Sequence, residues 1–327
     1  MTSRRSHKIE KLARLYDDEI LPIWAQRFGR LIVRGLEIPP KATILDVSCA
    51  TGYPALEIAR KMDEQSRLIA IDGSSALLDV ARKKAEEHPG RQRIFFRTET
   101  ARPRLPFTAD VFDIVYSNLG LDEFASATKA LRDFARVAKP GGRVLATLPL
   151  LGSWQEFHDI FREVAVKHDK GTLIERLDRY VAAQPDAAVA EGWLHSVGLD
   201  DARVEVEPFT LLFRSAREFF FAPVVEYGPL PMWKSIAGQG QELQDVFWFV
   251  KEAIDAYFGG RAFEVTVQAG CLSGVKGANV VEASGEVVAI ESGEVELVVD
   301  AEEPAADSED PEPELEVFKE PEDEDES

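Results

Sequence analysis

Two observations predict an α/β fold built on a doubly wound, mostly parallel sheet. Between residues 41 and 149, short apolar segments with strand character alternate with amphipathic helical segments. Several of those strands are unbroken apolar runs, as expected when helices cover both faces of a sheet.

The elements follow in order. Leu12, Leu15 and Tyr16, then Ile20, Ile23 and Trp24, then Phe28, Leu31 and Ile32 recur near the helical period, so the first 40 residues read as helix. Pro22 divides that segment, and Pro39-Pro40 ends it for want of donors. Ile44–Val47 is a buried strand, followed by a helix over Pro54–Met62, with Pro54 in the first turn where its missing N–H costs nothing. Arg67–Ile71 is the second strand. Ser74 or Ser75 can cap the next helix, which carries Leu77, Val80, Ala81 and Lys84 and stops at His88-Pro89-Gly90. Ile94–Phe96 and Phe112–Tyr116 are strands. Ala125–Ala138 is a helix with Ala127, Leu131, Phe134 and Ala138 inward, broken by Lys139–Gly142 before a strand over Arg143–Leu148.

Beyond this alternation, Trp154–Lys167 is a helix with Trp154, Phe157, Phe161 and Val164 on one side, and residues 172–197 continue helical. Arg203–Val206 and Thr210–Phe213 read as two strands parted by Pro208. A helix over 242–258 carries Leu243, Val246, Phe247, Val250, Ile254 and Tyr257, and Phe263–Val267 is a last strand.

The formal net charge of −20 is concentrated at one end. Residues 281–327 hold 20 of the 58 acidic side chains and one of the 38 basic ones, so they carry −19 and the preceding 280 residues −1. The near-neutral body gives no charge-based case for nucleic acid or a membrane surface. No apolar run approaches the roughly 18 residues that span a bilayer, and no apolar stretch follows the basic start Met1–Arg5, so no signal peptide is expected. Two cysteines, Cys49 and Cys271, make no disulfide framework, and a cytoplasmic setting is the expectation. After about residue 277 the composition changes, first to valine-rich runs with Ser-Gly-Glu-Val repeated at 284 and 292, then from Ala301 onward to Pro, Glu and Asp. Disorder is expected there, with a weak hairpin around Glu291-Ser292-Gly293 and a possible role in docking a basic partner.

The chemistry lies in Ile44-Leu45-Asp46-Val47-Ser48-Cys49-Ala50-Thr51-Gly52. A strand ends in a loop of small residues that opens a helix, so a ligand can approach the backbone and meet free N–H groups. Asp72 ends the second strand, where an acid suits the hydroxyls of a ribose. Together they specify an adenosine-containing ligand.

These residues resemble the class I S-adenosylmethionine-dependent methyltransferases, above all the small-molecule group of ubiquinone and menaquinone biosynthesis. The family's first motif sets three glycines at alternate positions after an acid; this chain has Asp46, then Ser48, Ala50 and Gly52. Leu105-Pro106-Phe107, Phe112–Val115, Asn118 and the run Phe134–Leu145 follow the family pattern in order, and Ser196–Leu199 begins its late hairpin region. The resemblance covers about residues 10–275. It implies a seven-stranded, Rossmann-like methyltransferase fold with an N-terminal helical cap (1–40), a catalytic domain (41–277) bearing a helical lid near 150–195, and the acidic tail (278–327). It also implies S-adenosylmethionine as cofactor, contacted by Asp46, Ser48, Ala50, Gly52, Asp72, Gly73, Glu99 and Asn118. Ser48 and Ala50 replace glycines that permit positive φ, so affinity should fall if either position requires it. After the fourth strand, where many relatives carry histidines, this chain has Asp122 and Glu123.

Of the five histidines, no pair has metal-ligand spacing with a third partner, so no metal is expected. His158, on the helix that would close the pocket, is the candidate base. Tyr16 and Trp24 could close over the cofactor. Cys49 has no paired base and reads as a small loop residue. Phe209, Phe213, Phe219, Phe220, Phe221, Tyr227 and Trp233 read mainly as core, with some free to line an acceptor pocket with Trp154 and Phe157. The expected activity is methyl transfer to a small, partly apolar acceptor on oxygen, carbon or nitrogen. The alternative is a degenerate methyltransferase fold serving as a binding scaffold.

Overall fold

A computed structural model describes residues 2–101 and 103–277. The expectations for 278–327, disorder and hairpin included, lie outside the described residues. Seven strands form one sheet: β1 (Thr43–Val47), β2 (Arg67–Asp72), β3 (Ile94–Thr98), β4 (Phe112–Asn118), β5 (Ala138–Pro149), β6 (Leu199–Phe213) and β7 (Phe263–Lys276). Their spatial order is β3-β2-β1-β4-β5-β7-β6. The first five run parallel, and β7 lies antiparallel to both β5 and β6. The chain winds outward from β1 to β3 and returns to β4. This reversal opens a crevice beyond the carboxyl ends of β1 and β4, where open α/β sheets bind ligands.

The central strands earn their burial from apolar side chains on both faces. Ile44, Leu45 and Val47 of β1 and Phe112, Val115 and Tyr116 of β4 are fully enclosed. The enclosing helices are α1 (Thr2–Leu15), α2 (Ala25–Gly35), α3 (Ala55–Lys61), α4 (Ser75–Ala85) and α5 (Ala127–Val137). Ser74 caps α4, its Oγ accepting from the Leu77 N–H at 3.4 Å, and Ser126 caps α5 through Lys129 at 3.2 Å. The buried stripes are rotated slightly from expectation. On α4 they comprise Ala76, Leu78, Ala81 and Ala85, while Leu77 turns toward the crevice. On α5 they comprise Ala130, Leu131, Phe134, Ala135 and Val137; Ala138 already opens β5.

The second half adds α6 (Gln155–Lys167), α7 (Gly171–Ala182), α8 (Ala187–Ser196), α9 (Ala216–Phe221), α10 (Pro223–Glu226), α11 (Leu230–Ala237) and α12 (Gly240–Phe258). The inward face of α6 holds Trp154, Phe157, Phe161 and Val164 as its period demands. Phe157 stacks on Trp233 of α11 with centroids 4.0 Å apart, and Phe219 and Phe220 close the cluster. The helical segment 172–197 is two helices. α7 stays with α6, whereas α8 packs against α5 and β6 as part of the sheet's cover. The short helices α9–α11 gave no periodic signal in the sequence.

Two expectations need correction here. Pro208 does not divide two strands: β6 passes through it, pairing Leu199–Phe213 along β7. β6 is the outermost strand, and a proline whose missing donor faces the open side leaves the ladder whole. Tyr257 is not core but half exposed, its hydroxyl donating to Glu163.

Candidate functional site

The loop after β1 takes the backbone shape its alternate small residues suggest. Ser48, Ala50 and Gly52 have φ of +60°, +45° and +90°. For Ser48 and Ala50 this left-handed conformation costs roughly 1–2 kcal/mol each, so the surroundings must impose it. The Cys49 N–H donates to the Ile71 carbonyl at 3.0 Å and the Gly52 N–H to the Cys49 carbonyl at 2.9 Å. Asp72 accepts from the Ala50 N–H at 2.9 Å through Oδ2 and from the Ser74 N–H at 2.8 Å through Oδ1. One carboxylate therefore laces the loop after β1 to the start of α4. Gly120 meets the loop from the far side. A Cβ there would lie 2.6 Å from the Ser48 Cβ, so only glycine allows this approach.

Above these loops lies a cavity of about 500 Å³, within the range for small-molecule sites. Its floor is Ser48, Ala50 and Asp72, and Asn118, Leu119 and Gly120 from the end of β4 form one wall. The roof is α1 with the turn Tyr16–Ile20 and Trp24, and Pro223–Pro229 closes the side. A second cavity, of about 760 Å³, adjoins it. The two share Trp24, Leu119, Tyr227, Gly228 and Pro229.

Four of the eight sequence-named cofactor residues reach the first cavity: Ser48, Ala50, Asp72 and Asn118. The other four do not. Asp46 is fully buried beneath the loop, accepting from the Tyr116 hydroxyl at 2.9 Å, because its register opposite Tyr116 in β4 turns it inward. Gly52 faces Ala81 of α4. Gly73 is exposed, with open space around its Cα. Glu99 ion-pairs with Arg97, and its backbone N–H donates to the Asp72 carbonyl at 3.1 Å. Asn118 is held at both ends of its amide, donating to the Ala25 carbonyl at 3.0 Å and accepting from the Thr147 hydroxyl at 2.8 Å.

His158 is corrected as a candidate base. It is 1% exposed, packed among Phe157, Tyr180 and Trp233, and lines neither cavity. Burial, aided by Arg162, lowers its pKa to about 4, so it is neutral at physiological pH. Its place beside Phe157 on α6 explains this: the stripe that builds the cap core carries it inside. Tyr16 and Trp24 do line the first cavity, and Trp24 stacks on Trp154 at 5.6 Å. Of the late aromatic group, Tyr227 lines both cavities, whereas Phe213, Phe219, Phe220 and Trp233 are core. Among the described residues no cluster of ligating side chains could hold a metal.

The electrostatics follow from enclosure. Burial drives the Asp46 carboxyl well above the usual range, Asp72 adding to it and the Tyr116 hydroxyl opposing it. Burial raises Asp72 too, against its two backbone donors. The Tyr16 phenol rises through burial and then through Asp72, and burial raises the Cys49 thiol, which removes it as a nucleophile. Sequence reasoning missed Ile9, Leu12, Leu77, Gly120 and the Pro223–Pro229 wall. On α1 the signal appears only in the folded chain, where Ile9 and Leu12 are apolar yet 45% and 43% exposed.

The donor set fits S-adenosylmethionine. Ser48 Oγ, in the cavity floor, is buried without a hydrogen-bond partner, which a native structure rarely leaves unexplained. Each Asp72 oxygen accepts one backbone bond and retains a lone pair. The roof is apolar and aromatic, as an adenine requires.

Residues 44–142 match the methyltransferase domain family. The chain is 25% identical over 166 residues to a ubiquinone/menaquinone biosynthesis C-methyltransferase of Proteus mirabilis, covering 48% of this chain and 66% of that one. It is 30% identical over 141 residues to a 2-phytyl-1,4-naphtoquinone methyltransferase of Thermosynechococcus vestitus, covering 41% and 59%. It is 25% identical over 219 residues to a demethylmenaquinone methyltransferase of Bacillus cereus, covering 63% and 91%. The chain thus spans just under two thirds of the first relatives' length. Residues 44–142 thus match a methyltransferase domain, and the ordered motifs and the strand order make the chain similar to the class I S-adenosylmethionine-dependent methyltransferases.

Proposed function

We propose that the protein transfers a methyl group from S-adenosylmethionine to a small, partly apolar organic acceptor. The observation that carries this reading is the pair of adjoining cavities: one floored by the β1 loop and Asp72, the other walled by aromatic side chains, meeting at Leu119 and Trp24. The cofactor supplies a methyl group on a positively charged sulfur, ready for in-line displacement. The chain's own part is to hold, orient and exclude water.

Asp72 would hold the ribose hydroxyls through its remaining lone pairs, and Ser48 Oγ and the Ala50 backbone would meet the polar end of the ligand. Asp46 and Gly52 shape the loop from beneath, and Gly73 and Glu99 stand outside this assignment. Asn118, fixed between α2 and β5, sets the position of Leu119, whose N–H donates to Thr147 Oγ1 at 3.1 Å. Trp24 and Trp154 would keep water from the junction. With His158 sealed, the carboxylate on the acceptor side is Asp122, and a base is required only for acceptors that must lose a proton. The relatives' names speak of quinones, and Trp24, Trp154, Tyr180 and Trp193 would flank a flat ring well.

The scaffold alternative rests on Ser48, Ala50 and the acidic tail. The positive φ of Ser48 and Ala50 favours the catalytic reading, because the loop reaches the shape that glycines would permit. No helix among the described residues is long and apolar enough to cross a membrane. The acidic segment 278–327 would serve as a docking tail for a basic partner. Calorimetry with S-adenosylmethionine, S-adenosylhomocysteine and NAD tests the central claim. The first two should bind in the micromolar range and NAD should not. Asp72→Ala should weaken binding by about 1–3 kcal/mol. A folded protein that binds neither sulfur ligand would overturn the reading.

A further inference from the structure

The second cavity has a charge character that the proposed activity does not assign. Ionised side chains lining the two cavities are all carboxylates among the described residues: Asp72 and Glu123 in the first, Asp122 in the second. No Lys, Arg or His lines either. Asp122 sits on the turn Leu121–Glu123 that follows β4, facing Tyr180 of α7. It makes no hydrogen bond or ion pair with a described residue. It is open to solvent, yet protein surrounds it closely enough that burial raises its carboxyl above the usual range. These two facts agree when a group lies inside a wide concave site rather than on a convex surface.

Aromatic side chains from separate elements line the same cavity: Trp24, Trp154, Tyr180, Trp193 and Tyr227. Aromatic faces attract cations, and most strongly where water is thinned. A carboxylate without a partner in such surroundings favours an opposite charge. An anionic acceptor would meet Asp122 with nothing basic to offset it.

Resting on the methyl-transfer reading, we infer that the second cavity takes an organic ammonium with an apolar body, its cationic head anchored by Asp122 between aromatic walls. Gln184 and the hydroxyls of Ser126 and Tyr180 supply neutral acceptors around that head. The apolar body lies toward Leu121, Leu148 and Met232. Neutral ring acceptors of the kind in the relatives' names lack the charge that Asp122 would answer.

The test is a binding series on the full chain with S-adenosylhomocysteine held saturating, read by quenching of the cavity tryptophans. The probes are phenethylammonium, the neutral phenethyl alcohol and the anionic hydrocinnamate. The ammonium should bind about tenfold more tightly than the alcohol, with hydrocinnamate weakest. Asp122→Asn should erase that preference and leave the alcohol's affinity unchanged; the exposed position makes loss of folding no obstacle. Equal binding of ammonium and alcohol, or a preference that survives Asp122→Asn, would overturn the inference. Saturation by S-adenosylhomocysteine is checked first, so failure of the cofactor reading is seen separately from failure of the ammonium preference.

Discussion

The two cavities touch along Trp24 and Leu119 but are made of different material. The first is floored by backbone: three alternate residues at positive φ, two N–H groups tied to one carboxylate, and a glycine pressed against a serine. The second is walled by side chains from the first helices, the turn after β4, α7, α8 and the Pro223–Pro229 segment. A floor of backbone depends on a few residues next to one another in sequence. A wall of side chains depends on how distant helices pack. The difference separates what a short motif can declare from what only the assembled cap can.

The largest expected effect breaks the cap. Phe157 is fully buried and stacked on Trp233, so Phe157→Ala should cost about 3–5 kcal/mol of stability in urea denaturation. A loss below 1 kcal/mol would mean that the aromatic cluster does not set the walls of the second cavity.

Next is acid sensitivity, which also belongs to the cap. Burial depresses the folded-state pKa of His158 to about 4 from the usual 6.5 of a histidine side chain, so the unfolded chain binds the proton first. Its contribution is intact above pH 6.5 and is lost as pH falls toward 4. At pH 4.5 the loss should be about 2–3 kcal/mol relative to pH 7, and His158→Phe should flatten that part of the profile. An unchanged pH profile in the variant would place the acid sensitivity elsewhere.

The smallest effect concerns the floor. Ser48→Gly and Ala50→Gly relieve left-handed strain while adding chain entropy to the unfolded state, for a net gain of about 0.5–1 kcal/mol each. Affinity for S-adenosylhomocysteine should hold or improve in Ala50→Gly and fall in Ser48→Gly, which also removes the unpartnered Oγ. Unchanged binding in Ser48→Gly would take that hydroxyl out of the ligand's contacts.

Much of the fold was legible because its signals are local. The alternation through residue 149 placed the five parallel strands, since each buried strand is a short apolar run between turn residues. Pro208 misled because a proline means something different on an edge strand than inside a sheet, and edge position is a property of the assembled sheet. In the site, Asp72 and the Ser48–Gly52 spacing were readable from chemistry and position. Asp46, Gly52, Gly73 and Glu99 were named from the family motif; in the folded chain Asp46 is turned inward by its register, Gly52 faces Ala81, Gly73 is exposed and Glu99 pairs with Arg97. His158 failed for a related reason: a helical stripe says that a residue is inside, not which interior it enters.

The roof of the first cavity comes from residues 9–24 and its side from 223–229, both outside the 44–142 stretch shared with the family. Heredity can therefore treat the two parts separately. The strand-and-loop floor can stay constant while the flanking segments, which also line the second cavity at Trp24 and Tyr227, take on new side chains. For the same reason, a fragment trimmed to residues 44–142 would keep the sheet's centre yet lose the walls that enclose both cavities.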